Sequence, residues 1–345
     1  MSEAFVTAET TSGLAEGKER LRPGPEPAIC TFMKVVEYQR FGDESVLSVV
    51  ERPTPTPGRG QVLVDVFAAA LNPKDVLTRA GKLRFFSGQR FPMRVGYDWS
   101  GVVRAIGSGV EGLAAGDEVF GMIQAWAGGA VAEQVVVEAD QLAKKPAALA
   151  HPQAAAIPLA ALTALQALRD EGRLEPGQRV LINGASGGVG TFAVQLARLL
   201  GAHVVAVTSA RNAELVRSLG AHEVIDYATS RATSVSAPVD VVFDVFGNQR
   251  FAACRAVLTP SGTWVSTVPK LHVLASQLGS RFSSQRARLV LVRSRRADLE
   301  QLAAWASAGS IAPVIDRVVP MADIAAAQRH LGTRRARGKV VLTTR

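Results

Sequence analysis

The chain has 345 residues, 48% hydrophobic and 20% charged, enough for two domains with a sizeable core each. No apolar run reaches bilayer-spanning length, so no membrane partner is expected. Two cysteines, Cys30 and Cys254, can build neither a disulfide framework nor a cysteine-rich zinc lobe, and the formal net charge is +9.

The positive charge is densest at Arg281, Arg286, Arg288, Arg293, Arg295 and Arg296, and again at Arg334, Arg335, Arg337 and Lys339. Such runs attract phosphate-rich partners, nucleic acid included, or simply form a solvated surface. No aromatic residues are interleaved as a single-strand stacking platform needs, so the surface reading is preferred.

Residues 1–32 are polar, closed by Pro23, Pro25 and Pro27, and read as a disordered extension. The start shows no basic region leading into an apolar stretch, so no secretory signal is read and a cytoplasmic location is expected. Residues 33–158 carry short β-type runs between glycines: "QVLVDVFAAAL", "GVVRAIGSGV", "GDEVFGMI" and "AVAEQVVVE". They predict a barrel-like β unit. From 159 to 298 apolar strands alternate with helices of period 3.6, which predicts an α/β domain with a doubly wound parallel sheet. Residues 299–345 read helix, strand, helix, strand and are expected to return to the first domain.

Within the α/β stretch, "RVLING" is a strand, "ASGGVG" a turn and "VGTFAVQLA" a helix. This is the setting of the dinucleotide pattern G-x-G-x-x-G, here at Ala185, Gly187 and Gly190, with alanine at the first position. Gly187 and Gly188 would let a pyrophosphate approach the backbone, with helix-start amides pointing at its oxygens. The second strand ends in "VTSARN", where an NAD site places a carboxylate. Ser209 and Arg211 stand there instead, and NADP(H) is the expected cofactor.

The pieces "ALNPKD", "GYDWSGVV", "GDEVFG", "GASGGVGTFAVQLA", "LVRSLGAHEVIDY" and "RGKVVL" resemble the medium-chain dehydrogenase/reductase superfamily. The nearest likeness is to its zinc-free quinone-oxidoreductase branch, among members related to reticulon-interacting protein. The resemblance implies a GroES-like β-barrel domain, a Rossmann domain and a cleft between them. It implies cofactor contacts from Ser186, Gly188 and Val189 to the pyrophosphate, Ser209 and Arg211 to the 2′-phosphate, and Tyr227 near the adenosine. It places Thr163, Phe246, Val268 and Lys339 along the nicotinamide half.

The resemblance also places zinc ligands, in the zinc-using members, where this chain has Asn72, Tyr97 and a residue near Leu159. Those side chains cannot form a tetrahedral zinc site, so no metal is expected. Without a Lewis acid, the expected reaction is hydride transfer to an electron-poor carbon, of a quinone or an α,β-unsaturated carbonyl. Tyr97 and Asn72 are the candidate proton donor and amide donor. Phe85, Phe86 and Trp126 are candidates for an apolar pocket or for core. Asp75, Asp98 and Asp244 are assigned structural roles.

Two other readings stay open: an enoyl-thioester reductase, and a cofactor-holding crystallin-like or RNA-binding protein. Finally, "ARLVLVR" (residues 287–293) reads as the last strand of the parallel sheet. An open edge there predicts a homodimer with one continuous sheet, as the resemblance also implies. The competing account is a monomer whose edge is covered by a helix around residues 270–280.

Overall fold

The structure is a computed structural model that describes residues 31–125 and 128–345. Most of the expected N-terminal extension, with Cys30, lies outside the described residues, as does Trp126.

The first part is built from short strands: β1 (Phe32–Tyr38), β2 (Ser48–Pro53), β3 (Gln61–Leu71), β4 (Met93–Arg94), β5 (Asp98–Ile106), β6 (Glu118–Met122), β7 (Gln134–Glu138) and β8 (Leu142–Lys144). Helices α1 (Pro73–Arg79) and α2 (Arg84–Ser87) follow β3. Strands β2, β1 and β4 form one small sheet, and β3 pairs antiparallel with β5 and β7. The inward residues Val62, Val64, Val66, Trp99 and Leu142 are buried in one core, as alternation on half-buried strands requires.

Helices α3 (His151–Ala155) and α4 (Pro158–Leu165) lead into six parallel strands. These are β9 (Arg179–Asn183), β10 (His203–Thr208), β11 (Glu223–Asp226), β12 (Val239–Asp244), β13 (Leu258–Ser266) and β14 (Arg286–Leu289). Between them run α5 (Gly188–Leu199), α6 (Ala213–Ser218), α7 (Phe251–Cys254) and α8 (Leu271–Gly279). The strand order is β11-β10-β9-β12-β13-β14, so the direction of travel reverses between β9 and β12. Val180, Leu181 and Ile182 of β9 are all buried because helices cover both faces. The crevice at the carboxyl ends of β9 and β12 is where a doubly wound sheet takes a ligand.

The chain then passes through α9 (Arg296–Ser307), β15 (Ile315–Pro320), α10 (Ile324–Gly332) and β16 (Lys339–Thr343). Strand β16 pairs antiparallel with β3, Val340 opposite Leu71, which returns the C-terminus to the first sheet. That pairing places Lys339 against the glycine turn after β9.

The last strand of the parallel sheet is shorter than its sequence suggests, and two amides on its outer side are bonded within the chain. The strand ends at Leu289. The Ala287 amide donates to Ser280 Oγ at 2.9 Å, and the Leu289 amide donates to Gln277 Oε1 at 2.9 Å. These contacts, from α8 and the turn after it, engage two amides on the outer side of β14, and pairing between copies stays the expectation stated for the sequence.

Candidate functional site

The glycine turn follows β9 directly. Gly184 has φ +92°, a conformation that side-chain-bearing residues rarely adopt, so the tight turn is made one position before Ala185. The alanine that breaks the pattern is thus not at the turning residue. A Cβ on Gly190 would lie 2.1 Å from Gly184 O, so this glycine lets α5 close against the turn. The first-turn amides of α5, beginning at Gly188 and Val189, have no intrahelical acceptor and face the crevice end of the sheet. Ser186 Oγ accepts from Thr208 Oγ1 at 2.8 Å and from Asn212 Nδ2 at 3.0 Å, which ties the turn to the end of β10.

Gly188 serves a second purpose. A Cβ there would meet Lys339 Cδ at 2.8 Å, and the Gly338 amide donates to Ser186 O at 3.0 Å. The return strand β16 therefore lies against the glycine turn, and the stem of Lys339 crosses it.

The Lys339 ammonium ends in a buried polar cluster. It donates to Asn72 Oδ1 at 2.6 Å and to Asp98 Oδ2 at 2.9 Å. Asn72 Nδ2 donates to the same Asp98 oxygen at 2.9 Å. The other oxygen, Asp98 Oδ1, accepts the Leu159 amide at 2.7 Å, at the start of α4. All three side chains are buried, so each charge is matched by a partner rather than by water. An ammonium has three donors, and two of them meet Asn72 and Asp98.

Asp75 supports this cluster from below. Its carboxylate accepts the Asn72 amide at 2.8 Å and the Gly96 amide at 2.7 Å. Burial still pushes its pKa up to about 6, with the Asp98 charge adding to the rise against those hydrogen bonds. Beside it, Lys74 donates to Ala125 O at 3.0 Å, and its ammonium lies 3.9 Å above the Tyr97 ring. Burial lowers the pKa of Lys74, against the pull of Asp75 and Asp98.

Tyr97 itself is buried in the core with Phe120, Met122 and Ile157. Burial and the Asp75 carboxylate both raise the pKa of its hydroxyl, making it a poorer acid. The packing role competes directly with the expected donor role. Thr163 is also buried, its hydroxyl donating back to Leu159 O at 2.7 Å within α4. Phe85 and Phe86 are exposed on α2, not core.

The end expected to take the adenosine is better exposed. Ser209 and Arg211 stand after β10, and the exposed Tyr227 follows β11 beside them, its amide donating to Thr208 O. The segment before β16 folds onto the same place. Arg211 Nη2 donates to Arg335 O at 3.3 Å, and Arg337 Nη2 reaches Arg211 O at 3.5 Å. Arg334 adopts φ +58° and lies 5.4 Å over the Phe246 ring. Among the described residues, none of these four arginines is in an ion pair with a carboxylate.

Phe246 and Val268 line the crevice end of β12 and β13. Asp244 fixes their loop, accepting from Asn183 Nδ2, the Gly247 amide and the Gln249 amide. The Val268 side chain fills the space above Gly247. The arginines near 281–296, by contrast, are partly committed elsewhere: Arg286 to Ser280 O, Arg295 to Asp170 and Arg296 to Ala139 O.

The residues least visible in the sequence are Asp98 as the hub, Lys74 above Tyr97, and the arginines at 334, 335 and 337 as neighbours of Arg211. Asp98 and Lys74 sit inside quoted motifs, "GYDWSG" and "ALNPKD". In the sequence the arginines show only as a run of positive charge.

Comparison with known proteins places this geometry. A family model described as Alcohol dehydrogenase GroES-like domain matches residues 58–147, and one described as Zinc-binding dehydrogenase matches residues 219–342. The solved quinone oxidoreductase from Coxiella burnetii superposes with a TM-score of 0.84 at 33% identity, covering 91% of this chain and 100% of that one. The chain belongs to the medium-chain dehydrogenase/reductase superfamily. Within this superfamily, NAD(P)H oxidoreductase RTN4IP1, mitochondrial, of Bos taurus is 33% identical, over 89% of this chain and 86% of that protein. The 2-methylene-furan-3-one reductase of Solanum lycopersicum is 36% identical, over 91% and 80%.

One family name carries zinc, and the residues here do not fit it. Of the three expected ligand positions, Asn72 has its Oδ1 bonded to an ammonium, Tyr97 lies under a second ammonium, and Leu159 has no side-chain donor. A dication placed among them would face two positive charges at close range.

Proposed function

We propose that the protein is a zinc-independent, NADPH-dependent oxidoreductase that reduces a quinone or an α,β-unsaturated carbonyl. The observation that carries the reading is the Lys339 ammonium, held by Asn72 and Asp98 and pressed against the glycine turn. Nicotinamide and quinone or enone chemistry also stand in the names of the relatives.

When bound, NADPH supplies a hydride. The amides at Gly188 and Val189, with Ser186 beside them, suit its pyrophosphate, and Phe246 and Val268 suit its nicotinamide half. Arg211 and Arg337 suit its 2′-phosphate, because Arg337 reaches the Arg211 carbonyl, neither is paired by a carboxylate among the described residues, and none stands in "VTSARN" to repel it.

The acceptor is electron-poor already, since Asn72 and Tyr97, each beside an ammonium, do not fit a metal that would activate it. The spare N–H of Lys339 favours negative charge developing on an acceptor oxygen, in a site where few waters compete. Asn72 and Asp98 orient that ammonium. Lys74, with its lowered pKa, is the better proton source of the two groups at Tyr97.

The test is NADPH oxidation with a panel of quinones and enones, beside alcohol oxidation with NADP⁺ and metal analysis of the purified protein. Turnover of quinones or enones without stoichiometric zinc is expected. Alcohol oxidation alone, or about one zinc per chain, overturns the proposal.

A further inference from the structure

The segment that leaves the parallel sheet after β14, residues 292–294, is held by two glutamines from separate parts of the chain. Gln166, buried where it follows α4, accepts the Arg293 amide at 2.9 Å. It donates to the Arg293 carbonyl at 2.8 Å and to Asp298 Oδ2 at 2.9 Å. Gln124, in the loop after β6, makes a matching grip from the side of the first sheets. Its Oε1 accepts the Ser294 amide at 2.6 Å, and its Nε2 donates to Val292 O at 3.4 Å. One carboxamide thus meets an N–H and a C=O of the same segment, which requires a side chain with both a donor and an acceptor.

The backbone of Gln124 is fixed as well. Its amide donates to Gln141 Oε1 at 3.2 Å, and Ser294 Oγ donates to Gln141 O at 3.0 Å. The next residue is Ala125, whose carbonyl accepts the Lys74 ammonium at 3.0 Å. Gln124 is exposed, so its bonds compete with water and add little to stability. What they do fix is the place of the Ala125 carbonyl, and through it the ammonium above the Tyr97 ring.

We propose that Gln124 is a positioning residue for Lys74, clasping residues 292–294 so that the Ala125 carbonyl holds the lysine where the substrate is reduced. The inference rests on the reading of Lys74 as the proton source. In that role the ammonium releases one proton to the reduced substrate, and the amine regains one from water. A misplacement of about 1 Å can cost about a hundredfold in rate, so a clasp of small binding energy has a large effect on proton delivery. Without the clasp the Ala125 carbonyl is released and Lys74 moves toward water. Its pKa then rises toward the ordinary lysine value, because burial is what lowers it.

The experiment uses the full chain as wild type, Gln124→Ala, Lys74→Met and the double variant. Two quantities are read: turnover of an enone with NADPH, and acylation of Lys74 by an amine-directed reagent across a pH series, located by peptide mass spectrometry. Gln124→Ala should lower kcat about tenfold, with KM for NADPH and thermal unfolding barely moved. It should shift the pH profile of Lys74 acylation upward. Lys74→Met should lower kcat about a hundredfold, and adding Gln124→Ala should change that by no more than about twofold. The proposal falls if the two losses multiply in the double variant, or if Lys74 acylation keeps its wild-type pH profile in Gln124→Ala. Full turnover by Lys74→Met removes the proton role on which the inference rests and overturns both. Acylation is read without turnover, so a failed clasp and a failed reaction are told apart.

Discussion

Lys339 Nζ lies 2.6 Å from Asn72 Oδ1, although the two residues are 267 positions apart. The contact exists because β16 pairs with β3, and Asn72 follows β3 immediately. The cleft is thus assembled by the return of the chain.

Lys339→Met should lower kcat by about a hundredfold, the usual effect of removing one preorganised donor from a charge-stabilising site. It also leaves Asp98 buried without its cation, so stability should fall by about 3–5 kcal/mol. Adding Asp98→Asn should recover much of that stability and little of the activity. Chemical denaturation and steady-state rates on the single and double variants check both. If the double variant recovers activity with stability, Lys339 is structural only.

The arginine loop makes a separate prediction about the cofactor. Wild type should bind NADPH at least about tenfold more tightly than NADH. Arg211→Ala and Arg337→Ala should each weaken NADPH by about tenfold, the worth of one charge-assisted hydrogen bond, and barely move NADH. Calorimetric titration of the two cofactors into each variant measures this. Equal losses for both cofactors would remove these residues from the 2′-phosphate.

Much of this architecture is legible in the sequence, and the illegible part has a physical cause. The parallel sheet shows in runs such as "RVLING" and "HVVAVT", because strands covered on both faces must be apolar throughout. The turn was placed correctly, but its left-handed residue is Gly184, since local backbone angles are not written in a degenerate pattern. Asn72 and Lys339 were both named, but for different duties; their contact depends on strand pairing across the whole chain. Tyr97 drew attention because it stands in a motif, yet burial decides its acidity, and burial is a property of the packed state. Gln277 and Ser280 meet the Leu289 and Ala287 amides of β14 only through packing, which local sequence does not write.

Two glycines separate folding from cofactor binding. Gly190→Ala puts a methyl 2.1 Å from Gly184 O, which requires α5 to shift, so stability should fall by about 1–3 kcal/mol along with NADPH affinity. Gly187→Ala meets only Gly184 O at 3.6 Å, so the fold should tolerate it, while a methyl on the approach side should weaken NADPH. Thermal unfolding with and without NADPH distinguishes the two. A stable Gly190→Ala protein would contradict the close packing described here.

Asp75 predicts a pH dependence of stability. Its pKa in the folded protein, about 6, lies above the ordinary value of 3.8, so folding favours the protonated carboxyl. That contribution is complete below pH 3.8 and is lost as pH rises to about 6. The stability of wild type relative to Asp75→Asn should therefore fall across this interval and level off above it. Urea denaturation of both proteins from pH 3.5 to pH 7 reads the difference; a rising difference would reverse the assignment.

The central claim is direct hydride transfer from NADPH to an electron-poor carbon, and isotope labelling tests it most directly. NADPH carrying deuterium on the transferred position at C4 is mixed with the protein and an enone, and the product is examined by mass spectrometry and NMR. The account predicts one deuterium on the β-carbon of the saturated ketone, with the proton on the α-carbon drawn from solvent. A saturated product without deuterium, or no turnover of any enone or quinone by protein that binds NADPH, would contradict it.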